Sequence, residues 1–332
     1  MISQDVEQEY AIAEEAHKSR MAQPWKLVLA IGLLIYVAIY VTAEINTLDS
    51  SLRNRLFMIN TAPQAEYDYV IVGASHAMPF GFESMNERLE TMTNASIINL
   101  SIEGGGPIPA RFLIDYFLAD HKPKSVLYMI DSFAFYSEQW NEVRIDDPEL
   151  LARAPLDWDL LYTLWKFPST RSLIPGYLTG FYKINNQERF TPDLSDAERS
   201  RFTRTYRANA RVDERRMAFL YPDTKSGEIT DRYIAELEEL SNTLAARGIN
   251  LIAIKTPLPQ RVLEKLSGEA AFDEKVRGAL GRHGFELHDF TMVANDDAFF
   301  YDTDHLNKDG VINFMDAHLN ALLLNESLPA QQ

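Results

Sequence analysis

Two short stretches, far apart in the chain, carry residue types that can act together on an acyl group. The later one reads Tyr301-Asp302-Thr303-Asp304-His305-Leu306-Asn307-Lys308-Asp309-Gly310, with a carboxylate three residues ahead of a histidine. The earlier one reads Val72-Gly73-Ala74-Ser75-His76. A serine on a tight turn after a strand, joined by a distant histidine and its aspartate, supplies nucleophile, base and orienter. In this reading His305 takes the proton of Ser75, while Asp302 accepts the other imidazole N–H and sets the tautomer. Three residues apart in a helical turn, Asp302 and His305 project to one side. Asp304 is a rival orienter, but as the immediate neighbour of His305 it faces elsewhere. Gly104, Gly105 and Gly106 allow close backbone approach, so Gly104 and Gly105 are expected to present N–H groups to a developing oxyanion together with Ser75. His76, Asp131 and Ser132 are candidates for substrate contact. A metal centre built from His283, His288, Asp289, Asp302 and His305 lacks a recognisable ligand spacing, and no glycine pattern of a dinucleotide or phosphate loop occurs. Neither metal nor cofactor is therefore expected.

The elements that must position these residues are legible beyond Ala62-Pro63. Short apolar runs alternate with helical stretches, as in a parallel sheet covered on both faces. Strands are expected at Tyr67 to Val72, Ile97 to Leu100, Val126 to Ile130, Asn250 to Ile254 and Phe285 to His288. Helices are expected near Glu83 to Glu90, Pro109 to Leu118, Asp231 to Ala246, Phe272 to Arg282 and Lys308 to Leu324. The last has Asn307 as N-cap and one stripe of Val311, Phe314, Met315, His318, Leu319 and Leu322. A three-layer α/β/α, flavodoxin-like fold follows, in two parts at 63–131 and 229–325. The candidate residues fall at the C-terminal ends of its strands, where open α/β sheets collect ligands. Residues 132–228 break the alternation and are too long for a loop, so they read as a helical insertion. It carries Trp140, Trp158 and Trp165, and an arginine series in which Arg204, Arg207, Arg211 and Arg215 would share one helical face.

The 332 residues have a hydrophobic fraction of 46% and a formal charge of −16, which argues against a nucleic-acid partner. Cysteine is absent, so disulfides and thiolate metal sites are excluded. Leu27 to Ala43 is an uncharged apolar run of about 17 residues, roughly 26 Å as a helix. A leader (1–24), longer and more acidic than a cleavable signal allows, argues that 25–46 is a retained transmembrane anchor. Lys18, Arg20 and Lys26 precede the run while Arg53 and Arg55 follow it, which places the N-terminus inside and the globular part outside the inner (cytoplasmic) membrane.

Gly-x-Ser after the first strand, glycine after the second, and Asp-x-x-His-Leu-Asn-x-x-Gly before the last helix resemble the SGNH (GDSL-type) hydrolase superfamily. The resemblance covers the sheet-forming parts and leaves the anchor and insertion outside. It implies Ser75 as nucleophile, His305 as base, Asp302 as orienter, and Gly104 with the Ser75 backbone as oxyanion donors. One departure is plain: the superfamily's third block supplies an oxyanion asparagine, and this chain has Asp131-Ser132 there. A carboxylate cannot donate unless protonated. Membrane-anchored members, the D-alanyl transfer proteins of lipoteichoic acid synthesis and polysaccharide O-acetylation proteins, work beside a membrane-bound O-acyltransferase. The resemblance thus implies an esterase or O-acyltransferase acting on an envelope glycan through an acyl-serine. The alternative is a non-catalytic scaffold subunit of such an acyltransferase or another envelope assembly, which the missing asparagine favours.

Overall fold

A computed structural model describes residues 4–48, 54–186, 199–221 and 227–326. Among them five strands, β1 (Glu66–Gly73), β2 (Ile97–Asn99), β3 (Lys122–Met129), β4 (Asn250–Lys255) and β5 (Glu286–Asp289), form one all-parallel sheet in the order β2-β1-β3-β4-β5. This is the flavodoxin-like layout expected from the apolar runs. Alternate residues serve opposite faces: Val70, Val72, Val126, Tyr128, Leu251 and Ala253 join one core, whereas Tyr69, Ile71, Leu127, Met129, Ile252 and Ile254 join the other. Helices Pro107–Asp120, Gly227–Ala246 and Glu269–Gly281 cover the first face, and Met85–Thr93 with the C-terminal helix covers the second.

The C-terminal helix starts as expected, with the Asn307 side chain accepting the Gly310 N–H at 2.9 Å. Val311, Phe314, Met315 and Leu319 of its apolar stripe are buried as expected. A π-helical turn at Met315–Leu319 inserts extra arc, so beyond it Leu323 is fully buried while Leu322 is half-buried against the same core.

The stretch 132–228, of which 187–198 and 222–226 lie outside the described residues, is largely helical and shares the first core through Leu160, Phe167 and Tyr177. The expected arginine face does not form. Asn209 caps a helix that begins only at Ala210, accepting the N–H groups of Arg211 and Val212, so Arg204 and Arg207 lie outside it. Arg216 turns inward instead, to Asp304.

The expected leader and anchor segments form one continuous helix, α1 (Gln4–Leu48), through Pro24. Its segment Pro24–Leu48 is long and apolar enough to cross a membrane, and its most apolar 18-residue stretch has a mean hydropathy of 2.2. Arg53, one of the two basic residues after the span, lies outside the described residues.

Candidate active site

The site is assembled at the C-terminal ends of β1, β2 and β3 and the loop before the last helix. β1 ends at Gly73, whose φ of +151° brings its backbone against β3; a Cβ there would lie 2.6 Å from the Met129 carbonyl oxygen. The chain then turns through a 3₁₀ helix, Ser75–Gly81, which begins with Ser75. Asn99 at the end of β2 holds that turn, donating to the Ala77 carbonyl at 2.9 Å, and its other amide atom accepts from the Ser101 hydroxyl at 2.6 Å. Ile102 donates to the Gly73 carbonyl at 3.2 Å, which draws the glycine loop alongside.

Of the three glycines, Gly105 donates its N–H to the Ile102 carbonyl at 3.1 Å and Gly106 to the Trp140 carbonyl at 2.7 Å. No hydrogen bond from the N–H of Gly104 or of Ser75 occurs among the described residues. Gly104 has φ +61°, and a Cβ on it would lie 2.5 Å from the Trp140 ring, so both the conformation and the space require glycine. Of the two glycines expected to donate to an oxyanion, then, only Gly104 keeps its N–H uncommitted.

Asp302 and His305 meet on a tight non-helical loop. The Asp302 carboxylate accepts the N–H groups of Asp304 at 3.1 Å and His305 at 2.9 Å and also lies 2.9 Å from His305 Nδ1. One side chain thereby shapes the turn and orients the ring, which is why a spacing of three residues serves without a helix. The His305 carbonyl accepts from the Tyr301 N–H at 3.0 Å, and the Tyr301 ring stacks on the imidazole at 5.5 Å between centroids. His305 is buried, and its Nε2 has no hydrogen-bond partner among the described residues.

The residue after Ser75 is more involved than its sequence context suggested. His76 is buried, with Nδ1 at 2.5 Å from Asp131 and Nε2 at 3.3 Å from Asp304, and its ring centroid is 4.9 Å from that of His305. Ser75 is therefore one peptide away from a ring packed on the candidate base. Asp304 also receives Arg216 Nε, 3.2 Å from both of its oxygens. Asp131 thus binds His76, while Ser132 points elsewhere, donating to Glu269 at 2.6 Å beside Tyr221. The roles of Asp304 and Arg216 were missed by sequence reasoning; the signal was a histidine next to the serine and an aspartate where the superfamily resemblance called for asparagine.

The electrostatics follow from this packing. Burial opposes a charge on His76, but Asp131 and Asp304 outweigh it and push the imidazole up to about 10, so it is cationic near neutral pH. Burial likewise opposes ionisation of Asp304, but His305, Arg216 and His76 hold its carboxyl well below the usual range. For His305, burial lowers the pKa while Asp302 and Asp304 raise it more, and the net shift is upward. Asp302 is held below its ordinary value by His305 despite burial.

His76, Asp304 and His305 bring one ligand atom each within 4.8 Å of one another, a set of two imidazoles and a carboxylate that could hold a divalent cation. Both rings already have their Nδ1 against a carboxylate, as metal-bound histidines commonly do. Against this, Arg216 already pairs with Asp304, so a dication would share that carboxylate with a guanidinium. His283, His288 and Asp289 take no part in the cluster.

No known family model matches the chain, and no curated protein aligns with it at a significant level.

Proposed function

We propose that the chain is a membrane-anchored serine acyl hydrolase or O-acyltransferase of the SGNH type, acting on an acyl ester of an envelope glycan. The observation that carries this reading is the Asp302–His305 pair, whose imidazole Nε2, without a hydrogen-bond partner among the described residues, is buried beside the turn that bears Ser75. The Ser75 hydroxyl attacks the ester carbonyl and gives its proton to His305 Nε2. The tetrahedral oxyanion is met by the N–H groups of Ser75 and Gly104 and by the positive charge of His76. His305 returns the proton to the departing alkoxide, leaving an acyl-serine. Water or a glycan hydroxyl then attacks, passing its proton through the same nitrogen.

The test is covalent labelling of the purified full chain by a fluorophosphonate, read by intact mass. Wild type is expected to gain one adduct, on Ser75, and S75A and H305A to gain none. A well-folded wild type that stays unlabelled would end this reading and favour a scaffold role beside an acyltransferase.

A second reading, a hydrolytic metal centre, is favoured by the convergence of His76, Asp304 and His305. Elemental analysis separates the two: about one equivalent of a divalent metal, lost in H76A and H305A alike, supports the metal centre.

A further inference from the structure

The anchor helix does not leave the globular domain at the end of its apolar run but lies alongside it. Tyr36 donates its hydroxyl to the Thr179 carbonyl at 2.6 Å, Glu44 accepts the Leu156 N–H at 2.5 Å, and Glu44 also pairs with Lys183. Gly180, at φ +71°, lies so close to the Tyr40 ring that a Cβ there would collide with it. Tyr36 is seven residues before Ala43, the last residue of the run, or about 10 Å along the helix axis. Whatever touches Tyr36 therefore lies about 10 Å inside the apolar slab.

The contacting segment is a hairpin of two short helices, Ile174–Leu178 and Phe181–Ile184. From Leu173 to Asn186 its only charged residue is Lys183, which is buried against Glu44. Its exposed residues are Pro175, Leu178, Thr179, Phe181 and, at its end, Asn185, with Leu178 40% and Phe181 57% exposed. The Tyr177 hydroxyl ties the hairpin to the next segment, donating to the Pro155 carbonyl at 2.6 Å and accepting from the Asp157 N–H at 2.8 Å. There Leu156 and Trp158, the latter 72% exposed, continue the uncovered apolar surface at the level of Glu44.

A bilayer that avoided this hairpin would have to end near Tyr36. That leaves only about nine residues of the apolar run, roughly 14 Å, to cross a hydrocarbon core of about 30 Å, and Lys18, Arg20 and Lys26 stand where the remainder would have to come from. We propose that the 173–186 hairpin is embedded in the leaflet adjoining the globular domain, its Leu178 and Phe181 among acyl chains and Trp158 at the headgroup level. The occupant of this face is lipid, because the face is continuous with the exposed side of the anchor itself. The domain is thus held against the bilayer in one orientation by three elements instead of swinging from a tether.

The absence of cysteine makes the test clean. Single variants Phe181→Cys and Leu178→Cys of the full chain are labelled with bimane. They are reconstituted in nanodiscs of phosphatidylethanolamine and phosphatidylglycerol, with or without doxyl-labelled lipid. Leu33→Cys in the span and Arg277→Cys, at an exposed position of the helix Glu269–Gly281, are the references. Doxyl quenching at 178 and 181 is expected to reach about half or more of that at 33, with none at 277, as for groups about 5–10 Å into the headgroup and acyl boundary. Water-like, unquenched emission at both positions, with 33 quenched, overturns the proposal. Blue-shifted emission that lipid does not quench overturns it too, since the cover would then be protein. Circular dichroism and gel filtration confirm that each variant is folded, and the two sites serve as independent readings.

Discussion

Replacing Asp131 by asparagine tests whether His76 is held as a cation. The imidazole lies 2.5 Å from Asp131 and 3.3 Å from Asp304 in a buried setting, and its pKa stands at about 10 against an ordinary 6.5. Linkage at about 1.4 kcal/mol per pH unit puts the full stabilisation from that charge at about 5 kcal/mol. Shared between two carboxylates, with the nearer carrying more, Asp131 accounts for about 3 kcal/mol, at the lower edge of what removing one partner of a buried pair costs. The sign is that of a raised pKa: the contribution is complete below about pH 6.5 and fades as pH climbs through about 10. D131N should therefore unfold about 3 kcal/mol more easily than wild type at pH 6.5, and the gap should shrink to under about 1 kcal/mol at pH 10.5. Urea denaturation of the full chain in detergent, followed by near-ultraviolet circular dichroism, measures both. Lysines and tyrosines that titrate near pH 10 affect the two proteins alike and cancel in the difference. A gap that stays constant across this range would refute a cationic His76.

Asp302→Asn should slow fluorophosphonate labelling by about 10³ to 10⁴, the effect of losing the tautomer-setting carboxylate in such relays, and should also lower stability at pH values where His305 is protonated, since Asp302 helps to raise its pKa. Because the His305 pKa is raised, its basic form is scarce at low pH, and the labelling rate should climb with a midpoint above 6.5; a midpoint below that value speaks against His305 as the base. Gly73→Ala should cost about 3 kcal/mol or more in the same urea assay, since a Cβ would collide with the Met129 carbonyl and φ is +151°. Lys183→Met should strand Glu44, 21% exposed, at the hairpin and cost about 2 kcal/mol, most of it recovered by adding Glu44→Gln, as read by thermal melting in nanodiscs.

The sheet was legible because a parallel strand is apolar on both faces and so reads as an uninterrupted run: Val70-Ile71-Val72, Val126-Leu127-Tyr128 and Leu251-Ile252-Ala253 each announce themselves. The Asp302–His305 pair was legible because both ends lie in one loop. What escaped the sequence depends on neighbours it does not show. Periodicity placed Arg204 on a helix, yet Asn209 captures the first N–H groups and starts the helix later. The stripe of the last helix slipped only at its end, from Leu322 to Leu323, because a π turn has no compositional mark. The cluster of His76, Asp131, Asp304 and Arg216 draws on four separated stretches of chain, and no local pattern links them. The hairpin at 173–186 reads in sequence as part of an ordinary insertion, because its contacts to Tyr36, Tyr40 and Glu44 of the apolar helix join stretches more than 130 residues apart.

On the proposed SGNH-type reading, the histidine after the serine and the aspartate at 131 act as one unit. An asparagine at 131 would donate an amide N–H to an oxyanion without regard to its neighbours, whereas an aspartate there is tolerable only beside a cation. His76 is that cation, and it in turn needs Asp131 to stay charged when buried. If the pair replaces the amide donor, then D131N alone is the worst intermediate: its carbonyl oxygen is engaged by His76 Nδ1–H while the imidazole has lost much of its charge. Removing the ring as well, in H76A/D131N, frees the new amide to donate. The double variant should therefore label with fluorophosphonate about tenfold faster than D131N, recovering roughly the effect of one oxyanion donor reduced for imperfect placement. The rates of the four proteins, wild type, H76A, D131N and H76A/D131N, form a double-mutant cycle. Losses that simply add would mean that the two residues act separately, and the aspartate would then have to be explained by the stability of the loop alone.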